Sequence, residues 1–133
     1  MDFNNYTIKA QEAVQKAVET ARSKRQQSVE GGHLLKGMLT VEDSIIPFML
    51  KKLGVNVDFL EQKLNELIEG SSKVSGASGG QFFSNDMHQI LERANKEAGK
   101  LKDEFITLEH LLLGLIHSKN GVGQLLKEQG VND

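Results

Sequence analysis

The chain has no cysteine, so it forms no disulfide and offers no thiolate for metal binding or nucleophilic attack. It has no tryptophan, one tyrosine and an aromatic share of 5%, so its core is expected to be aliphatic. The single proline, Pro47, leaves almost the whole chain free to form helices. A strong excess of either charge is missing too. A formal net charge of −2 and a pI of ≈ 6.1 give no general pull toward nucleic acid or an anionic membrane. The longest apolar run, 111–116, is interrupted by Gly114 and is far too short to span a bilayer. The first residues, Met1-Asp2-Phe3-Asn4-Asn5, lack the basic start and apolar run of a signal peptide. The expectation is a soluble, cytoplasmic protein with no nucleic-acid or membrane partner.

What the chain does have is 133 residues, 38% of them hydrophobic, enough for one compact domain with its own core. It also has an internal repeat, the feature to seek before any motif. In 106–116 the residues Leu108, Leu111, Leu112, Leu113, Leu115 and Ile116 leave no polar side, so this helix belongs in the middle of the molecule. Residues 29–39 write it once before: His33-Leu34-Leu35-Lys36-Gly37 matches His110-Leu111-Leu112-Leu113-Gly114 at His, Leu, Leu and Gly. The register extends outward, with Tyr6-Thr7 on Phe83-Ser84, Val14 on Leu91, Ala17 on Ala94, Ala21 on Ala98 and Val29 on Ile106. After a slip of one residue, Leu50-Lys51-Lys52-Leu53-Gly54-Val55-Asn56 falls on Leu126-Lys127-Glu128-Gln129-Gly130-Val131-Asn132.

The helices follow from caps and stripes. Thr7 caps a first helix with the stripe Ala10, Val14, Ala17, Val18 and Ala21. A second helix is predicted over 33–41, and a third over 46–53 with Pro47 in its first turn and Gly54 closing it. Asn56 caps a fourth, striped by Leu60, Leu64, Leu67 and Ile68 and stopped by Gly70. Residues 71–81, rich in Gly and Ser, form a joint. They are no phosphate loop, because Gly-Lys-Ser/Thr is absent and no strand is predicted before them. In the second unit Ser84 caps a helix striped by Met87, Ile90, Leu91, Ala94, Ala98 and Leu101, Thr107 caps the central helix, and 121–129 carry Val122, Leu125 and Leu126.

No segment alternates with period two over strand length, so the fold class is all-α. The predicted architecture is a single domain over 1–133, with repeat one at about 6–70 and repeat two at about 82–133. The two four-helix repeats are expected to pack about a pseudo-twofold axis with a groove along the seam. The second repeat stops where the first opened its fourth helix, so the chain is expected to be a fragment of a longer one.

Among candidate functional residues, Phe82, Phe83 and Leu91 lie near the joint and are the sharpest binding candidates. The alternative is a staple onto the helix that follows. Thr7 and Ser84 are first of all helix caps. Asp103, Glu104 and Glu109 sit where a helix dipole favours acids, and the same residues read as an acid–base cluster only weakly. His33 and His110 are equivalent first-turn residues, packed at helix starts rather than paired on a metal, since no acid or Cys joins them at ligand spacing. His88 and His117 are expected to be solvated. A helix-turn-helix DNA reader is disfavoured by the acidic pI and the lack of a basic recognition helix.

The aromatic-Thr/Ser caps, the twice-written His-Leu-Leu-x-Gly helix, the Leu-Lys-x-x-Gly-Val-Asn ending and the Gly/Ser joint together resemble the Clp N-terminal repeat domain. The resemblance covers essentially the whole chain and lies closest to the ClpB-type AAA+ disaggregases of the stress response. It implies a non-catalytic docking module that engages unfolded or aggregated client proteins, with co-chaperone or adaptor proteins as further partners. The alternative it allows is an adaptor-docking domain of a ClpA- or ClpC-type protease unfoldase. It implies no cofactor within this domain, ATP and Mg in motor domains beyond residue 133, a homohexameric full-length protein and a monomeric isolated domain.

For client engagement the resemblance points to Thr7, Asp103, Glu109 and an apolar patch near Leu91, diluted here by Arg93 and His110. The family places Glu before the His of both central helices, and some ClpC-type members hold a phosphorylated arginine with that pair. Here Glu109 remains, while Gly31-Gly32 precedes His33, so half of the acidic pair is missing. Two glycines in a first turn are expected to cost on the order of 1 kcal/mol each relative to Ala.

Overall fold

A computed structural model describes residues 3–73 and 80–132; most of the Gly/Ser joint, 74–79, lies outside them. The elements run α1 (Ile8–Ser23), β1 (Ser28–Val29), α2 (Gly31–Thr40), α3 (Ile46–Lys52), α4 (Val57–Glu69), β2 (Phe82–Phe83), α5 (Asn85–Lys100), α6 (Leu108–Ile116) and α7 (Gly121–Glu128). The all-α class holds, with one correction. β1 and β2 pair in parallel, Ser28 with Phe82 and Val29 with Phe83, and an isolated parallel bridge joins Tyr6 to Ile106. Pairings this short contain too few residues to show a period of two.

The caps form where short polar side chains precede apolar stripes. Thr7 Oγ1 accepts from the Ala10 N–H at 3.2 Å, Asn56 Oδ1 from Phe59 at 3.0 Å and Ser84 Oγ from Met87 at 3.0 Å. Gly54 and Gly130, after α3 and α7, adopt φ of 86° and 87°, conformations that L side chains resist. There the N–H of Val55 bonds Leu50 O and that of Val131 bonds Leu126 O, closing both helices in the same way.

The core centres on α2 and α6, as their all-round apolarity predicts. Leu34, Leu35 and Met38 of α2 and Leu111 and Leu115 of α6 are fully buried. α1 packs on α2, and α5 on α6. Both crossings are close because Gly37 lies against the carbonyl of Ala13, and Gly114 lies where a Cβ would stand 2.5 Å from Ile90 O. The α5 stripe buries Met87, Ile90, Leu91, Ala94 and Ala98, but Leu101 is 61% exposed. Leu101 is the C-cap residue, where the helix ends and the stripe loses its direction. On α4, Leu60, Leu64 and Ile68 are buried, whereas Leu67 stays partly exposed and lies over Gly121.

α2 begins at Gly31, two residues earlier than predicted. A Cβ on Gly31 would meet Ile90 Cδ1 at 2.7 Å and Val122 Cγ1 at 2.8 Å, so that residue is small because two aliphatic side chains occupy the space. A Cβ on Gly32 would meet Ile68, Leu64 and Leu67 of α4 at 3.5 to 3.7 Å.

Candidate functional site

Two strand pairings join the halves, beside the packing of α4 on α7 and of α2 on α6. Thr7 N–H donates to Ile106 O at 2.9 Å and Ile106 N–H to Asn5 O at 2.8 Å. In the other pairing Phe82 N–H donates to Gln27 O at 2.8 Å and Ser84 N–H to Val29 O at 3.1 Å. In the repeat register Tyr6 corresponds to Phe83 and Val29 to Ile106, so each pairing is the counterpart of the other.

Beside each pairing lies a depression. One, of ≈ 340 Å³, is walled by Phe3, Phe83 and the α1 residues Gln11, Val14, Gln15 and Val18, with Glu19 and Arg22 at its end. The other, of ≈ 470 Å³, is lined by Tyr6, Ile106 and the α5 residues His88, Leu91, Glu92 and Asn95. Position for position, Gln11, Val14, Gln15 and Val18 correspond to His88, Leu91, Glu92 and Asn95. The α1 depression is the more apolar, since Val18 stands where its counterpart has Asn95 and the Phe3 ring adds to its wall. The Phe3 ring touches both pairings, at 4.9 Å from Tyr6 and 6.3 Å from Phe83.

The sequence-nominated residues separate into two groups. Phe82 is 56% exposed and Phe83 half-buried, its ring edge-on to His88 at 5.8 Å. Leu91 is only 2% exposed, pointing inward from the core stripe, and forms the floor of the α5 depression. Arg93 and His110 do not line that depression. Arg93 turns to Glu97 at 2.8 Å and to His117 at 3.2 Å, so His117 is half-buried against it rather than fully solvated. That pair lines a separate polar cleft of ≈ 530 Å³ with Asp86, Lys96 and Ser118. The polar rim above Leu91 is instead His88, Glu92 and Asn95.

Thr7 is a half-buried cap. Glu109 is exposed in the first turn of α6. Asp103 is held: its Oδ2 lies 2.8 Å from His110 Nε2. His110 Nδ1 accepts the Thr107 N–H at 3.0 Å, which places the ring proton on Nε2, donating to Asp103. His33 is arranged alike, with Nδ1 accepting from Glu30 N–H at 2.9 Å and Nε2 facing Gln26 Oε1 at 2.6 Å. Both nitrogens of each ring are engaged, which accounts for these histidines without a metal. Burial holds His33 below its usual pKa, against the raising effect of the Glu30 charge, and Lys24 adds to the lowering. Burial also pushes the Tyr6 hydroxyl up to about 12, so it is neutral under ordinary conditions.

Phe3 and Val18 are functional candidates that the sequence alone did not single out. Phe3 sits in a polar leader, and Val18 reads simply as part of a core stripe. Comparing the two units at Val18 and Asn95 carries the missing signal. Among the described residues no group of His, Asp and Glu is placed to hold a metal, and no helix is long and apolar enough to cross a membrane.

A family model described as the Clp repeat (R) N-terminal domain matches residues 5–129. The chaperone protein ClpB of Bacteroides thetaiotaomicron is 38% identical over 133 residues, covering 100% of this chain and 15% of that protein. ClpB of Porphyromonas gingivalis is 37% identical, with the same coverage. The chain thus spans about 15% of the length of these relatives. The fold is that of the Hsp104 N-terminal domain from Candida albicans, with a TM-score of 0.85 at 20% identity, covering 97% of this chain and 84% of that one.

Proposed function

This chain belongs to the Clp repeat (R) N-terminal domain family, and we propose that it is the client-docking domain of a ClpB-type disaggregase, holding exposed apolar segments of unfolded or aggregated proteins. The observation that carries this reading is the depression walled by Phe3, Val14, Val18 and Phe83, beside the exposed ring of Phe82. Its walls are more apolar than those of the counterpart depression beside α5. The kinship to ClpB proteins supports the choice of client.

The domain acts without catalysis of its own. ATP and Mg belong to motor domains outside this chain, assembled as a cytoplasmic homohexamer. One apolar side chain entering the recess contributes about 1.5–3 kcal/mol before ordering costs. Single-site affinity is then weak, and several copies on one assembly supply avidity. Thr7, Asp103 and Glu109 border this function rather than carry it: Thr7 fixes α1, Asp103 fixes His110, and only Glu109 is free to meet a client.

The test is a titration of the isotopically labelled chain with a permanently unfolded model protein, read by amide resonances. Shifts at Phe82, Phe83 and Val18 are expected; unchanged spectra at high concentration end the proposal. A second reading, an adaptor-docking domain of the ClpA or ClpC type, draws on the polar cleft of Asp86, Arg93, Lys96, His117 and Ser118. Added salt separates the two, because a charged interface weakens while an apolar one holds.

A further inference from the structure

The counterpart strand pairings differ at their outer edges. In β2 the N–H groups of Phe82 and Ser84 bond toward β1, so the N–H and C=O of Phe83 point away from it. Neither has a hydrogen-bond partner among the described residues. At the equivalent Tyr6 both groups are occupied: its N–H donates to Phe3 O at 3.0 Å, and its carbonyl accepts from Gln11 Nε2 at 3.0 Å. The residue equivalent to Gln11 is His88, whose ring lies edge-on to the Phe83 ring instead of on its carbonyl. One edge is sealed by its own chain, and on the other the main-chain groups of Phe83 are unbonded among the described residues. That second edge belongs to the residue that also walls the more apolar recess.

We propose that β2 is a docking edge for extended polypeptide. An unfolded segment pairs antiparallel with Phe83, one of its residues exchanging both main-chain bonds with Phe83, while an adjacent apolar side chain enters the recess of Phe3, Val14, Val18 and Phe83. The occupant is set by chemistry. A helix has already bonded its main-chain groups internally, so only an extended chain presents the free N–H and C=O that Phe83 needs. An unpaired strand edge is a template for such addition. Glu19 and Arg22 at the end of the recess carry opposite charges, so apolar character rather than charge selects the segment. This inference rests on the client-docking reading and specifies which of the two recesses is used and in what conformation.

The test uses a short unstructured peptide of alternating Leu and Ser, an analogue N-methylated on its main chain, and two matched substitutions, Val18→Glu on α1 and Asn95→Glu at the equivalent place on α5. At saturation, exchange of the Phe83 amide with solvent is expected to slow by about tenfold in the unsubstituted chain. Val18→Glu and N-methylation are each expected to weaken binding about tenfold, and Asn95→Glu to leave it unchanged. If the Phe83 amide exchanges as fast with peptide as without, or if Asn95→Glu abolishes binding and Val18→Glu does not, the strand-edge proposal is overturned while client docking stands. If no peptide binds at all, both fall.

Discussion

Gln26 Oε1 lies 2.6 Å from His33 Nε2, and Asp103 Oδ2 stands in the same relation to His110. The two acceptors occupy equivalent positions, each just past a residue of positive φ, Arg25 at 59° and Lys102 at 58°. Gln26 is enclosed, its Nε2 donating to Ile68 O at 2.7 Å beneath the end of α4. Asp103 is open, with its side chain 47% exposed. A buried position takes the neutral amide and an exposed one tolerates the carboxylate, as desolvation requires.

That arrangement predicts a pH effect on stability. His33 is neutral when folded because Nδ1 must accept the Glu30 N–H, and its pKa lies below the ordinary 6.5. The unfolded chain therefore binds the proton first as pH falls, so the stabilisation is complete above 6.5 and is lost as pH drops toward the folded value. The slope from this one residue is at most about 1.4 kcal/mol per pH unit. Urea unfolding between pH 7.5 and 5.5 is expected to show it, and His33→Asn, whose Oδ1 still accepts the N–H but does not titrate, to flatten it.

Asp103 presents the complementary test. If its role is to orient His110, a neutral acceptor serves as well, as Gln26 does in the first half. Asp103→Asn is expected to stay within about 0.5 kcal/mol of the parent, and Asp103→Ala to lose about 1 kcal/mol with loosening of the α6 start. Thermal unfolding of the two variants decides it; equal losses would show that the carboxylate charge is what the site uses.

The glycines divide by what surrounds them. Gly37 and Gly114 face backbone carbonyls that do not yield, so Gly37→Ala and Gly114→Ala are each expected to destabilise by about 1–3 kcal/mol or more by forcing α1 from α2 and α5 from α6. Gly32 has room for a methyl group in ordinary contact with Ile68, Leu64 and Leu67. Gly32→Ala is expected to stabilise, by up to about 1 kcal/mol, through reduced freedom of the unfolded chain. Denaturant midpoints of the three variants check the contrast.

These outcomes also separate what the sequence makes legible from what it does not. The stripe of Met87, Ile90, Leu91, Ala94 and Ala98 repeats at helical spacing and was readable, as were the caps at Thr7, Asn56 and Ser84, whose hydroxyl or amide sits just before the stripe. Leu101 keeps the spacing of the stripe but lies past the point where the helix ends, so spacing alone misplaces it in the core. The Val29–Phe83 and Tyr6–Ile106 pairings carry no periodicity, and the hold of Asp103 on His110 is made between a loop and a helix start, outside any local pattern. Gly31 looked like a weakness; only the positions of Ile90 and Val122 show why it is small.

The last prediction concerns Leu91 and Phe82, both nominated for client contact but placed oppositely. Leu91 is a core residue at 2% exposure, so Leu91→Ala opens a cavity and is expected to destabilise the chain by about 2–5 kcal/mol. Any loss of client binding in that variant would follow from a weakened fold. Phe82 is mostly in solvent, so Phe82→Ala is expected to leave stability within about 0.5 kcal/mol while weakening apolar peptide binding severalfold. Measuring urea unfolding and peptide titration on the same two variants separates the roles. Were Phe82→Ala to unfold early and Leu91→Ala to keep its stability, the assignment of core and docking surface around β2 would be reversed.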